Sequence, residues 1–263
     1  MLRKHLTRSL PLIVVLLAGP GSGASGQSTF NGKTQLDLAC PDKNKPPCTQ
    51  AKAMIESAAV LVMGEQVPAG SWETFANRMM DYGIVPAEKS RQGIDLNDAL
   101  GYFKHYVTVE SPAQSYKLID RAFLEVFGTL PVIAERDGWL EKVKARQAWY
   151  ITIAGAEKGR LNGDAALRKK VIDRVYKAAM GRPADDTNYQ HWLPRPEHYA
   201  QMLEASRKWL HSPAGEKDLR GAVRVALYPK LKREPTPGEI DKGVEQVRPG
   251  RLIYREMLPV LQQ

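Results

Sequence analysis

The sequence predicts an all-α protein made of tandem helix-turn-helix repeats packed as a helical array or bundle. β-branched runs of strand length are scarce between long stretches rich in Ala, Leu, Glu, Lys and Arg, a composition that favours helix by intrinsic propensity. Apolar residues recur at spacings of three and four, as in Met54, Ile55, Ala58, Ala59, Leu61 and Val62, which gives a helix one buried face. One pattern also occurs more than once: Ile172, then Gly181 nine residues on, then Trp192 eleven further, matched by Ile119, Gly128 and Trp139. A regular recurrence of this kind is how a chain builds stacked units that cannot bury their apolar faces alone.

With 263 residues, 43% of them hydrophobic and 25% charged, the chain can bury a substantial core in one or two compact bodies. Residues 1–26 read as an export signal: Arg3, Lys4 and Arg8 precede the apolar run Leu10–Ala18, and the small residues Gly19–Gly26 follow. The apolar run is shorter than the ~20 residues needed to span a bilayer, so no integral span is expected once it is removed. Pro20 stands where a lipoprotein would carry its acylated cysteine. The glycines of this tail lack the Lys-Ser/Thr ending of a phosphate-binding loop. Losing the three basic residues lowers the Lys and Arg count from 38 to 35 against 29 acidic residues, so the formal charge falls from +9 to +6. A surplus of that size, with no recognition motif, argues for weak attraction to anionic polymer and against a nucleic-acid site.

Residues 27–50 are expected to be a flexible segment carrying a local disulfide. Cys40 and Cys48 are the only cysteines and flank Pro41, Pro46 and Pro47, and in an exported protein such a pair is economically read as bridged. The repeat domain then occupies 51–263, with copies near 51–80, 111–155, 164–213 and 219–260. In the first copy Gly64 follows Ile55 by nine residues and precedes Phe75 by eleven. Between this copy and the next, Asp95 is placed to cap a helix carrying Tyr102, Phe103 and Tyr106. Ser111-Pro112-Ala113-Gln114 predicts a helix start with a hydroxyl cap, and Thr236-Pro237-Gly238-Glu239 predicts a capping box in a fourth copy where Val244 takes the Trp192 position. Each glycine permits the left-handed exit that ends a helix, and the Trp-Leu of the next helix folds back on the apolar stripe.

Tyr176 to Pro183, then Trp192-Leu193, then Ser212 to Glu216 resemble an uncharacterised helical repeat of exported and surface-layer bacterial proteins. That repeat is distantly similar to the globular domain of phycobilisome linker polypeptides. The resemblance covers Ile119 to Glu216; the second copy has Thr129 where the third has Arg182. It implies a scaffold or attachment role outside the cytoplasm and no catalytic residues.

The residues offer little chemistry. His191 and His198 are separated by Pro194 and Pro196 and need not share a face, so no metal is expected. Asp186, Asn188, Gln190 and Glu197 have calcium-loop spacing, but His191 stands where the loop needs glycine, and helix capping by Asp185 or Asp186 fits better. Glu135 and Asp137 belong at a helix start for dipole reasons. Asp120-Arg121 and Asp173-Arg174 recur at equivalent positions and are read as ion pairs within or between stacked helices. The expectation is therefore a periplasmic or secreted, non-catalytic binding or scaffold protein without a cofactor. Its partner would be an envelope protein or an anionic envelope polymer, not nucleic acid. A cell-wall hydrolase using an unidentified carboxylate pair is the alternative. Gly181 and Trp192 belong to the shared pattern, so residues peculiar to the third copy, Arg182 and Arg195, are the candidate partner contacts.

Overall fold

The computed structural model of the chain describes residues 48–81 and 94–263, with 29–30, 33–34, 42 and 44 besides. The expected signal segment, Cys40 and the stretch 82–93 lie outside the described residues. Within the expected flexible segment, Thr29–Phe30 and Lys33–Thr34 form a two-residue antiparallel pair. Among the described residues every later element is a helix, in agreement with the all-α expectation.

The α-helices are α1 (Cys48–Met63), α2 (Trp72–Asp81), α3 (Leu96–His105, extended by a π turn over Tyr106–Glu110) and α4 (Ala113–Phe127). Then come α5 (Ile133–Lys144), α6 (Tyr150–Gly163), α7 (Ala165–Met180), α8 (Asp186–Trp192) and α9 (Tyr199–Leu210). A 3-10 turn at Pro213–Gly215 leads into α10 (Glu216–Leu231), α11 (Pro237–Val247) and α12 (Tyr254–Leu261). Among the described residues no helix is long and apolar enough to cross a membrane.

The helices group in threes: α1–α3, α4–α6, α7–α9 and α10–α12. Within each group the first and third helices pack closely, and the third helix of each later group also packs on the first helix of the group before it, α6 on α1, α9 on α4 and α12 on α7. The expected helix pairs are thus triplets, because the loops after α5, α8 and α11 turn the chain back onto the first helix. One continuous core results. Leu118, Ile119, Phe123, Val126 of α4 and Val171, Ile172, Val175 of α7 are all buried at spacings of three and four, each such side chain contributing about 1.5–3 kcal/mol of burial.

Local signals settle most boundaries. Asp95 accepts the Asp98 amide at 2.9 Å and caps α3, and Thr236 accepts the Glu239 amide at 3.3 Å at the start of α11. Glu239 in turn takes Arg233 and the Thr236 amide, which hold its carboxyl down at about 2. Ser111 is the exception. Helix α4 starts after it without a side-chain cap: the Gln114 amide is taken by the Ser111 main-chain carbonyl at 2.8 Å, and the Ser111 amide closes the preceding π turn on the Tyr106 carbonyl at 2.8 Å.

Candidate functional site

The three joints between successive helix groups share their parts. α1, α4 and α7 end on Gly64, Gly128 and Gly181 with φ of 73°, 70° and 72°. A Cβ on any of them would stand closer than 3.0 Å to ring carbons of Tyr150, Tyr199 or Tyr254 respectively. Each of those tyrosines opens the third helix of the next group. The ring therefore lies flat against a backbone that only glycine leaves bare.

The helix ends also need donors for their last carbonyls. Arg121 of α4 donates to the Met63 carbonyl and pairs with Glu65; Arg174 of α7 donates to the Phe127 carbonyl at 3.0 Å. A cation at a helix C-terminus meets both the free carbonyls and the negative end of the helix dipole. The reading of the Asp-Arg pairs as ion pairs between helices holds for Arg121 with Glu65 and for Asp120 with Arg136, and is corrected for Asp173 and Arg174, which make no ion pair among the described residues. Glu65 is an ionic partner for Arg121, but the acceptor common to both arginines is the carbonyl before a glycine. Asp120 pairs with Arg136 at 2.8 Å, whereas Asp173 accepts the Ala184 amide at 3.0 Å.

The third joint departs from this plan. Helix α10 ends on Lys232 with φ 52°. Val225 stands seven residues before it, where Arg121 and Arg174 stand seven before their glycines. Val225 has no donor to offer the Met180 carbonyl, and a cavity of about 750 Å³ opens here, bordered by Met180, Arg182, Asp218, Val225 and Tyr254. The contact is held elsewhere: Arg207 grips Glu256 at 2.6 and 2.8 Å, and His211 lies 3.0 Å from the Leu252 carbonyl. Arg207 also holds the Glu256 carboxyl below its usual range.

A second cavity of about 460 Å³ adjoins the first across the Arg182–Asp218 pair, whose charged atoms lie 3.7 Å apart. Its walls are aromatic: Tyr176, Trp192 and Trp209. Trp192 donates to the Tyr176 hydroxyl at 3.3 Å, and burial pushes that hydroxyl's pKa up. Trp209 donates to Asp218 at 2.8 Å yet stays 46% exposed, so its ring faces the groove and not the core. Arg182 lies over the Tyr176 ring at 5.6 Å and bonds Asp185 and Asn188, each at 3.3 Å. Arg195 lies over the Trp192 ring at 5.7 Å and makes no ion pair among the described residues.

Arg182 and Arg195, picked out separately in the sequence, thus come together on one cavity. The disulfide expectation falls on Cys40, outside the described residues; Cys48 is fully buried at the start of α1 and is not a free thiol. His198 is buried beside Glu125, its Nδ1 3.1 Å from that residue's carbonyl and its Nε2 3.4 Å from the carboxylate. Burial, with Lys158 nearby, lowers its pKa. His191 sits edge-on to Trp192, with ring centres 4.8 Å apart, so the two histidines do not converge. Asp185 caps α8 through the Asn188 amide at 2.9 Å, and Glu135 takes the Val132 amide at 3.2 Å and Arg160 at 2.6 Å.

Sequence reading missed Tyr150, Tyr199 and Tyr254 because they follow their own group's left-handed residue by 22, 18 and 22 residues, which hides the period. It also missed Trp209 and Asp218, which come from different helices. No protein-family model, curated protein or solved structure matches the chain.

Proposed function

We propose that this chain is a non-catalytic binding or scaffold protein of the bacterial envelope or extracellular space, an array of four tandem three-helix units whose partner docks at the third joint. The observation that carries the reading is the contrast between joints. At two of them an arginine ties off the helix end beside the tyrosine, while the third lacks that arginine and sets the rings of Trp192 and Trp209 on a cavity beside Arg182 and Arg195. The ring of Trp209 stands with those of Tyr176 and Trp192 on one cavity, a grouping of aromatic side chains of the kind binding faces carry. The export-type N-terminal segment and the resemblance to surface-protein repeats both support a location outside the cytoplasm.

The test is affinity capture from a cell-envelope fraction with the wild-type chain and with Trp209→Ala, both checked for native helicity. The expected result is a partner retained by the wild type and lost with the variant. Equal capture by both, or turnover of cell-wall polymer by the wild type, overturns the reading.

A further inference from the structure

The aromatic cavity of the third helix group has counterparts in the first two, and comparing the three shows what is missing from it. The position 14 residues after each glycine carries a cation: Arg78, Lys142 and Arg195. The residue eleven after it is the ring Phe75, Trp139 or Trp192. The eleventh residue of each third helix completes the wall: Tyr106, Arg160 and Trp209.

In the first group this space is a cavity of about 470 Å³, and Arg78 on its border is answered by Glu110 at 3.7 Å. In the second, Arg160 fills it from within. Its guanidinium lies over the Phe127 ring at 4.8 Å and pairs with Glu135 and Glu157, each at 2.6 Å. A charged planar group with two counter-ions over an aromatic floor is thus an arrangement this fold already uses at this place.

In the third group both counter-ions are gone. Asn188 stands where Glu135 does, seven residues after the glycine, and Ser206 stands where Glu157 does, the eighth residue of its helix. Both line the open cavity. Its carboxylate, Asp218, is already engaged by Trp209 and Arg182. Arg195 carries a guanidinium that makes no ion pair among the described residues and lies over the Trp192 ring at 5.7 Å, and a guanidinium can take a carboxylate at two points. The space is left more positive than in the second group, where two carboxylates balance Arg160 and Lys142.

From this we infer that the cavity binds a carboxylate borne on a flat or apolar body, with the carboxylate on Arg195 and the body against Trp192 and Trp209. A free aromatic acid and the C-terminal aromatic residue of a polypeptide present the same chemistry. The inference rests on the third joint being the binding face, and it deepens that reading by naming the ligand class.

Isothermal titration of the full chain with 3-phenylpropionate, its amide, and a short peptide ending in Phe with a free or an amidated C-terminus tests it. The expected result is that free carboxylates bind about tenfold or more tighter than their amides, since one well-made charge-assisted contact is worth that factor. Arg195→Ala removes the difference and Arg195→Lys restores part of it; Arg195 is exposed, so both variants keep the fold. Tighter binding of the free-ended peptide assigns the site to polypeptide ends, and tighter binding of the small acid assigns it to free acids. No saturable binding by either carboxylate, equal binding of acid and amide, or no effect of Arg195→Ala overturns the inference. Such a failure leaves the envelope capture experiment intact: loss of capture with Trp209→Ala would still support a binding face with a different ligand chemistry.

Discussion

The second and third joints are made of equivalent helices in the same order, yet one is tied off by an arginine and the other opens on a cavity. At the second, Tyr199 covers Gly128 and Arg174 ties off the Phe127 carbonyl. At the third, Tyr254 still covers Gly181, but Val225 replaces the arginine and the attachment moves outward to Arg207 and Glu256. The difference teaches that the glycine–tyrosine contact is the mechanical element, present at all three joints, while the arginine is optional: where Val225 replaces it, a cavity of about 750 Å³ opens at the helix end.

The largest effect is expected from breaking the shared element. Gly128→Ala forces a left-handed backbone on a residue with a Cβ and drives that atom into the Tyr199 ring, so chemical denaturation should show a loss of about 3 kcal/mol or more. A loss below about 1 kcal/mol would mean that the tyrosine is a passive neighbour. Removing the optional element should cost less. Arg174→Ala leaves the Phe127 carbonyl without its donor and is expected to destabilise by about 1–3 kcal/mol in the same measurement. The converse substitution, Val225→Arg, should make the third joint resemble the second. It is expected to raise stability by about 0.5–1.5 kcal/mol by giving the Met180 carbonyl a donor across the larger cavity that Val225 borders. Unchanged or lower stability in the same denaturation measurement would show that the third helix end does not need that donor.

Acidity separates the two joints further. Burial holds His198, at the second joint, below its ordinary value of 6.5. The unfolded chain therefore takes up the proton first, and stability present above pH 6.5 declines as pH falls through that value. Glu256, at the third joint, is held below its ordinary value of 4.5 by Arg207, so its contribution persists to lower pH and is lost only as pH falls past 4.5. Thermal unfolding of His198→Gln should lack the decline that begins near neutrality and keep the acid one, while Arg207→Ala should do the reverse. The Arg207 effect is the smallest, about 1 kcal/mol, because the pair is partly open to solvent.

Much of the frame was legible from residues adjacent in the chain. Gly64, Gly128 and Gly181 announce helix ends, and Asp95, Asp185 and Thr236 announce starts, because caps and left-handed exits depend on a few neighbours. Arg182 was legible as a departure from the pattern between copies; Arg195, read as peculiar to the third copy, stands where the other copies also carry a cation, Arg78 and Lys142. Their common cavity was not, since Trp209 and Asp218 reach it from α9 and α10. Nor was the destination of Arg121 and Arg174, whose acceptors are main-chain carbonyls that look alike in any sequence.

The sequence by itself determined that the chain is helical, where most helices begin and end, and which positions recur. These follow from local backbone preferences and from a periodicity that survives in one dimension. Only the tertiary structure decided that the helices pack in threes, that a tyrosine from the next group lies on each glycine, and that the space filled by Arg160 in one group stands open beside Arg195 in another. Those outcomes depend on which surfaces meet across intervals of 56 to 86 residues, as between Tyr199 and Arg255 or Gly64 and Tyr150, where loop length and side-chain volume decide and spacing carries no signal.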